Sequence, residues 1–191
     1  MIKAVIFDCF GVLVGSGFWA QYEKMGGDLD RDGAFVDSVL DKLNSGKLSS
    51  GMFAQLMSDH LGITPQVFKA ALTSDEQPNQ ELFTYIATTL KPRYKLAIAS
   101  NATGRSLRSH IPAEELALFD VVLASEETGL LKPDPAFFKL ALARLGLQPA
   151  EAVFIDDHLP YVESAAALGI HTIHYKGLTN LTRRLPGLLK T

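Results

Sequence analysis

The sequence has 191 residues, of which 47% are hydrophobic and 20% are charged, a balance that suits one globular domain with a sizeable insertion, or two small domains, around a buried core. The net charge of −3 gives the chain as a whole no basic surface of the kind that nucleic-acid-binding proteins carry. Cys9 is the only cysteine and no apolar run approaches the roughly 18–20 residues of a membrane span, so we expect a cytoplasmic protein with neither membrane nor nucleic acid as a partner.

The first predicted element is a buried strand, and a helical insertion follows it. Residues 2–7 (IKAVIF) are rich in β-branched and aromatic side chains and apolar on both faces, as in a parallel sheet. The sequence GSG at 15–17 predicts a hinge, and the polar stretch at 74–80 predicts the return linker. Between them the chain shows helical spacing and no strand, with predicted helices at about 18–26, 31–44, 49–61 and 64–73. We therefore expect a small helical cap formed by residues 17–76.

The rest of the chain alternates between strand-like and helix-like stretches. The predicted strands cover residues 95–100, 120–125, 152–157 and 169–175. The predicted helices cover about 79–90, 103–110, 135–145, 160–168 and 178–189. Strands that alternate with helices form right-handed βαβ units, so residues 1–16 and 77–191 are expected to form a three-layer α/β core with a parallel sheet.

Several chemically capable side chains fall near the carboxyl ends of the predicted strands, where open α/β sheets bind their ligands. They are Asp8, Ser100, Asn101, Lys132 and the pair Asp156-Asp157. Three carboxylates would repel one another unless a cation lay between them, and an all-oxygen ligand set favours Mg²⁺. A metal ion, an ammonium group and a Ser-Asn pair together suit a phosphoryl dianion.

Four segments in order resemble the motifs of the haloacid dehalogenase-like (HAD) hydrolase superfamily, and the resemblance covers the whole chain. They are FDCFGVL at 7–13, ASNAT at 99–103, GLLKPDPAFF at 129–138 and VFIDDHLPYVESAAALGI at 153–170. The resemblance implies a Rossmann-like core with a small α-helical cap after strand 1. It also implies an Mg²⁺-dependent phosphatase, since most members of the superfamily are phosphatases of that kind.

The resemblance also assigns roles by position. Asp8 would be the nucleophile that forms an aspartyl-phosphate, and Lys132 would balance the charge of that intermediate. Mg²⁺ would bind the Asp8 carboxylate, the backbone carbonyl of Phe10 and Asp157, with Asp156 holding metal-bound water. Ser100 and the region of Asn101 would bind the phosphoryl oxygens of a small-molecule phosphate substrate.

The sequence departs from the family's phosphatase pattern at Phe10. Most phosphatases of the superfamily carry a second Asp there, which protonates the leaving group and then activates water, and Phe10 can do neither. A catalytically weak, ligand-binding relative is therefore one alternative. A 2-haloacid dehalogenase is another, because an aromatic residue occupies this position in those enzymes, although the acidic pair Asp156-Asp157 argues against it. The substrate and the oligomeric state stay open at this point.

Overall fold

A computed structural model describes residues 1–15, 17–74 and 76–190. Its strands, in chain order, are β1 (Ala4–Phe7), β2 (Lys95–Ser100), β3 (Val121–Ala124), β4 (Ala152–Asp156) and β5 (His171–His174). In the described residues they form one parallel five-stranded sheet in the order β3-β2-β1-β4-β5. Each strand lies within a predicted stretch, and the predicted α/β class is confirmed.

Four helices between β1 and β2 form the predicted helical insertion. They are α1 (Gly17–Lys24), α2 (Leu29–Asn44), α3 (Ser50–Leu61) and α4 (Pro65–Thr73). Asp28, Ser49 and Thr64 cap the last three by accepting a hydrogen bond from a backbone N–H in the first turn. Tyr22, Phe53 and other buried apolar residues of these helices form a cluster of their own.

The boundaries that we predicted for the cap, at 16/17 and 76/77, stay predictions. The hinge residue Ser16 and the linker residue Asp75 lie outside the described residues.

The helices that follow the cap cover the two faces of the sheet. They are α5 (Gln80–Tyr85), continued by a π-helical turn (Ile86–Leu90), then α6 (Gly104–His110), α7 (Ala113–Leu116), α8 (Ser125–Thr128), α9 (Pro135–Leu145), a 3₁₀ turn (Pro149–Glu151), α10 (Leu159–Ala167) and α11 (Leu178–Leu189). Successive side chains of β1 enter different apolar clusters: Val5 and Phe7 pack into one, Ala4 and Ile6 into the other. Both faces of the sheet are therefore buried, as a parallel sheet requires.

No helix among the described residues has the length and apolar content to cross a membrane.

Two features of the chain path place the cap above the carboxyl ends of the strands. The segments that lead into and out of the cap run side by side, with the Gly15 N–H donating to Gln77 O at 3.0 Å and the Asn79 N–H donating to Leu13 O at 2.8 Å. The strand order also reverses at β1, whose neighbours are β2 on one side and β4 on the other. Such a switch point opens a crevice at the carboxyl edge of the sheet.

Candidate active site

Asp8 follows β1 directly and is held by the neighbouring strand. Its backbone N–H donates to Ile155 O at 2.9 Å, and the residue is largely buried. The chain then turns tightly, and the Cys9 carbonyl accepts hydrogen bonds from the backbone N–H groups of residues 12, 13 and 14. No backbone N–H among the described residues donates to the Phe10 carbonyl, so this oxygen could serve a cation beside Asp8.

Gly11 and Gly17 leave room for the carboxylate of Asp157. The φ of Gly11 is +90°, and a Cβ atom at this position would overlap the Asp157 carboxylate. A Cβ at Gly17 (φ +79°) would lie 2.7 Å from Asp157 Oδ2. Any larger residue would strain the backbone and displace the acid. The sequence predicts a hinge at Gly17 and no role at the site for either glycine, because nothing local to them indicates that Asp157 approaches.

The two members of the acidic pair have different surroundings. Both oxygens of Asp156 are bound by the protein: Oδ2 lies 2.7 Å from Lys132 Nζ, and Oδ1 accepts the His158 N–H at 2.8 Å. No hydrogen bond from another described residue reaches the Asp157 carboxylate. That Asp157 ligates a metal ion directly, and that Asp156 holds metal-bound water, stay predictions.

Lys132 is fully buried between two carboxylates. Its ammonium group lies 2.9 Å from Asp8 Oδ1 and 2.7 Å from Asp156 Oδ2, and 4.9 Å from the centroid of the Tyr161 ring. Burial alone would lower the pKa of Lys132, but the charges of Asp156 and Asp8 outweigh burial and raise it. Lys132 is therefore a cation beside Asp8.

The carboxylates fit a divalent metal ion. Asp8, Asp156 and Asp157 each offer an oxygen within 4.8 Å of the others. Asp8 Oδ1 is buried and, although it is close to Lys132, receives no well-oriented hydrogen bond from a described residue. Burial, followed by repulsion from Asp8 and Asp156, raises the pKa of Asp157 to about 8. The buried carboxylates repel one another when they are ionised, and a cation between them would relieve that repulsion. Because all the donors are oxygen atoms, Mg²⁺ suits the cluster.

Ser100 and Asn101, the predicted phosphate-binding residues, have different surroundings in the structure. Ser100 ends β2, is buried and lines the cavity above Asp8. The Asn101 side chain holds the loop of Lys132 instead: its Oδ1 accepts the Lys132 N–H at 2.7 Å, and its Nδ2 donates to Lys132 O at 2.8 Å and to the Tyr161 hydroxyl at 3.2 Å. Both residues line the cavity, and the Asn101 side chain also holds the backbone of Lys132, so phosphate binding by the pair stays a prediction.

A cavity of about 330 Å³ connects this cluster to the cap. Trp19 of α1 reaches across to the core and stacks on His158, with ring centroids 5.0 Å apart and an interplanar angle of 7°. The Phe10 ring lines the cavity and packs edge-on against His110 at 5.4 Å. His110 Nε2 lies 2.9 Å from Glu76 Oε2, and Glu76 also lines the cavity. An aromatic side chain, which cannot transfer a proton, thus lies in the cavity wall near Asp8.

A family model described as haloacid dehalogenase-like hydrolase matches residues 2–169. A 71-residue segment, 37% of the chain, is 48% identical to acyl-CoA dehydrogenase family member 10 of Mus musculus but spans 7% of that protein. The chain spans less than a third of the length of each of the first curated relatives that it matches.

Solved structures share the fold over nearly the whole chain. A protein of Porphyromonas gingivalis, described as a predicted HAD-like family hydrolase, is 27% identical with a TM-score of 0.70, over 100% of this chain and 99% of that one. A HAD family enzyme of Bacteroides thetaiotaomicron in complex with magnesium and inorganic phosphate is 23% identical with a TM-score of 0.64, over 92% and 95% of the two chains. Dehalogenases are also among the structures with this fold.

Proposed function

This chain belongs to the haloacid dehalogenase-like hydrolase family, and on that premise we propose that it is an Mg²⁺-dependent phosphohydrolase that cleaves a small-molecule phosphate ester through Asp8. The observation that carries the proposal is the cluster of three carboxylates around the buried Lys132. A dianionic phosphate next to Asp8 requires positive charge, and a metal ion with Lys132 supplies it. The magnesium and phosphate in the relative from B. thetaiotaomicron support this choice of ligands.

The proposed chemistry proceeds in two steps on Asp8. Its carboxylate forms a bond to phosphorus while the bond from phosphorus to the ester oxygen breaks, and the ester oxygen leaves as an anion that takes its proton from water. Water then cleaves the aspartyl-phosphate to give inorganic phosphate and the free carboxylate. Lys132 neutralises the carboxylate and the phosphoryl oxygens, and Ser100 donates a hydrogen bond to one of those oxygens.

The metal ion would be held by the carboxylates of Asp8 and Asp157 and by the Phe10 carbonyl. When bound, it supplies positive charge to the phosphoryl group. Asp156 keeps Lys132 in place through its 2.7 Å contact. The cap encloses the cavity, which favours a small phosphate ester over a phosphoprotein as the substrate.

Two other functions make different demands on the site. A 2-haloacid dehalogenase binds a carboxylate substrate and needs no metal ion, so the two acids beside the nucleophile, Asp156 and Asp157, would repel its substrate. Phe10 favours the other alternative, a catalytically weak relative that binds its ligand, because the phenyl ring cannot transfer protons.

The test of the proposed function is a screen of the purified protein with and without Mg²⁺. We expect phosphate release from small phosphate esters with Mg²⁺ only, and no chloride release from 2-chloro acids. Chloride release without metal would establish dehalogenation instead. Mg²⁺ binding without turnover of any ester would favour the weak, ligand-binding relative.

Replacing Asp157 should separate metal binding from folding. At a concentration of Mg²⁺ about 100 times its dissociation constant, the wild-type protein should gain about 2.7 kcal/mol of stability, or about 5–10 °C in melting temperature. Asp157→Asn should abolish that gain. Without metal the variant should be at least as stable as wild type, because the raised pKa means that the Asp157 carboxylate is costly to ionise in the folded state.

The matched control for this variant is Asp134→Asn. Asp134 lies in an exposed turn near Lys132 and caps α9, and asparagine caps a helix equally well. This control should keep the full Mg²⁺ shift in melting temperature. An undiminished shift in Asp157→Asn would remove Asp157 from the metal site.

A further inference from the structure

The cavity above Asp8 has two chemically different ends. At the sheet, its wall consists of the charged and polar groups that we assign to the phosphoryl group. At the cap, six of its wall residues are aromatic or aliphatic: Phe18, Trp19, Leu40, Leu43, Phe53 and Leu72. A phosphate ester placed with its phosphorus at Asp8 would therefore direct its organic group towards hydrocarbon.

The charges of the wall exclude a second anionic group on the substrate. Among the described wall residues, Lys132 is the only Lys or Arg, and two carboxylates within 2.9 Å already engage its ammonium group. Glu76 adds a carboxylate to the wall, paired with His110. A carboxylate or a second phosphate on the organic group would lose its hydration and find no cation.

Contacts with neighbouring rings hold the aromatic side chains of the apolar wall in place. The Phe18 ring lies between those of Tyr22 and Phe53, with centroid distances of 5.8 and 5.9 Å, and Trp19 is held by its stacking on His158. The cap helices contribute three polar side chains to the wall, Gln21, Asn44 and Ser50, so a few polar atoms of a substrate could be satisfied there. A sugar would bury several hydroxyl groups against a wall that is mainly apolar at this end, at a cost for each hydroxyl group that stays unpaired.

The size of the cavity limits the organic group. Its 330 Å³ lies at the small end of the range for ligand pockets. The phosphoryl group takes part of that volume, and the cavity is partly open to solvent, so its size favours an organic group of moderate size.

We propose that the substrate is a phosphate monoester of an uncharged, mainly hydrocarbon group of moderate size, aliphatic or aromatic, and that the apolar residues of the cap select it. This inference rests on the proposed function, because it places the phosphoryl group at Asp8. Leu43 near the end of α2 and Leu72 near the end of α4 are the specificity-determining residues that we single out.

Binding of alkylphosphonates tests the inference without turnover, since their carbon–phosphorus bond is not hydrolysed. We would titrate methyl-, butyl-, hexyl-, octyl- and dodecylphosphonate in the presence of Mg²⁺, using calorimetry and the fluorescence of Trp19, the single tryptophan of the chain. Affinity should rise about fourfold for each added methylene until the cavity is full, and then level off. A chain of the same length with a terminal carboxylate, or with a hydroxyl on each carbon, should bind at least tenfold more weakly.

The outcomes distinguish this inference from the function on which it rests. If methylphosphonate binds but chain length has no effect, or if the carboxylated or polyhydroxylated compound binds best, the inference is wrong and the phosphate site stands. If no phosphonate binds, the phosphate site itself is wrong, and so is the inference.

Leu43→Asn should reduce the gain for each methylene to less than twofold and leave the affinity for methylphosphonate unchanged. Leu56→Asn is the matched control, because Leu56 lies on an exposed face of the cap and outside the cavity wall. It should bind the whole series as wild type does. If thermal unfolding shows that Leu43→Asn is not folded, Leu72→Asn takes its place, and the same reduced gain in affinity for each methylene is expected. A folded wall variant that keeps the fourfold gain would overturn the assignment.

Discussion

Asp8→Asn is expected to lose on the order of 10⁴-fold or more of the Mg²⁺-dependent phosphate release, because an amide is not a nucleophile towards phosphorus. The variant should fold. The Asp8 backbone keeps its hydrogen bond to Ile155, and Lys132 keeps Asp156 as a counter-ion at 2.7 Å. The substitution also removes one of three mutually repelling carboxylates. The measurement is the initial rate of phosphate release from an activated aryl phosphate, with melting temperature as the check on folding.

Two further observations make this test specific to the nucleophile. Asp134→Asn, the same chemical change in an exposed turn, should keep wild-type activity. Acid quenching of the wild-type reaction should trap a phosphoenzyme, and the same treatment of Asp8→Asn should trap none. More than a few per cent of wild-type activity in Asp8→Asn would contradict the covalent mechanism.

The sequence predicts where the site lies because parallel strands bring their carboxyl ends to one edge. Asp8 and Asp156 end adjacent strands, β1 and β4, so their proximity follows from the sheet order once the alternation of strands and helices is recognised. Side-chain contacts between distant segments do not follow from such patterns. The amide of Asn101 meets the backbone of Lys132, 31 residues away, and no local signal distinguishes that contact from phosphate binding.

Local sequence patterns also fail to predict helices that are too short to show the helical repeat. Helices α7 and α8 have four residues each and were not predicted, since four residues cannot show a repeat of 3.6. The stacking of Trp19 on His158 was missed for a different reason. From the sequence alone, an aromatic residue such as Trp19 on a helix of the insertion is equally well explained by packing within the cap. Only the position of the cap over the strands brings the Trp19 and His158 rings together.

The wild-type rate should fall steeply as the pKa of the leaving alcohol rises, because Phe10 offers no proton. General acid catalysis contributes about 10²–10⁴-fold, so aryl, acyl and anomeric phosphates should react far faster than alkyl phosphates. His158 does not supply this proton either. Burial, followed by the charge of Lys132, lowers the pKa of His158 to about 4, so its imidazole is neutral near pH 7 and is a poor acid.

Phe10→Asp should accelerate alkyl esters by about 10²-fold and aryl esters by much less, which would flatten the dependence on leaving-group pKa. Phe10→Asn is the matched control, because it opens the same space and adds no carboxyl group. The new carboxyl of Phe10→Asp would lie near His110, which already pairs with Glu76. The measurement is kcat across esters graded in leaving-group pKa, for the wild type and both variants. A flat wild-type series would show that another group protonates the leaving alcohol, and Glu76, in the cavity wall near Phe10, would then be the residue to replace first.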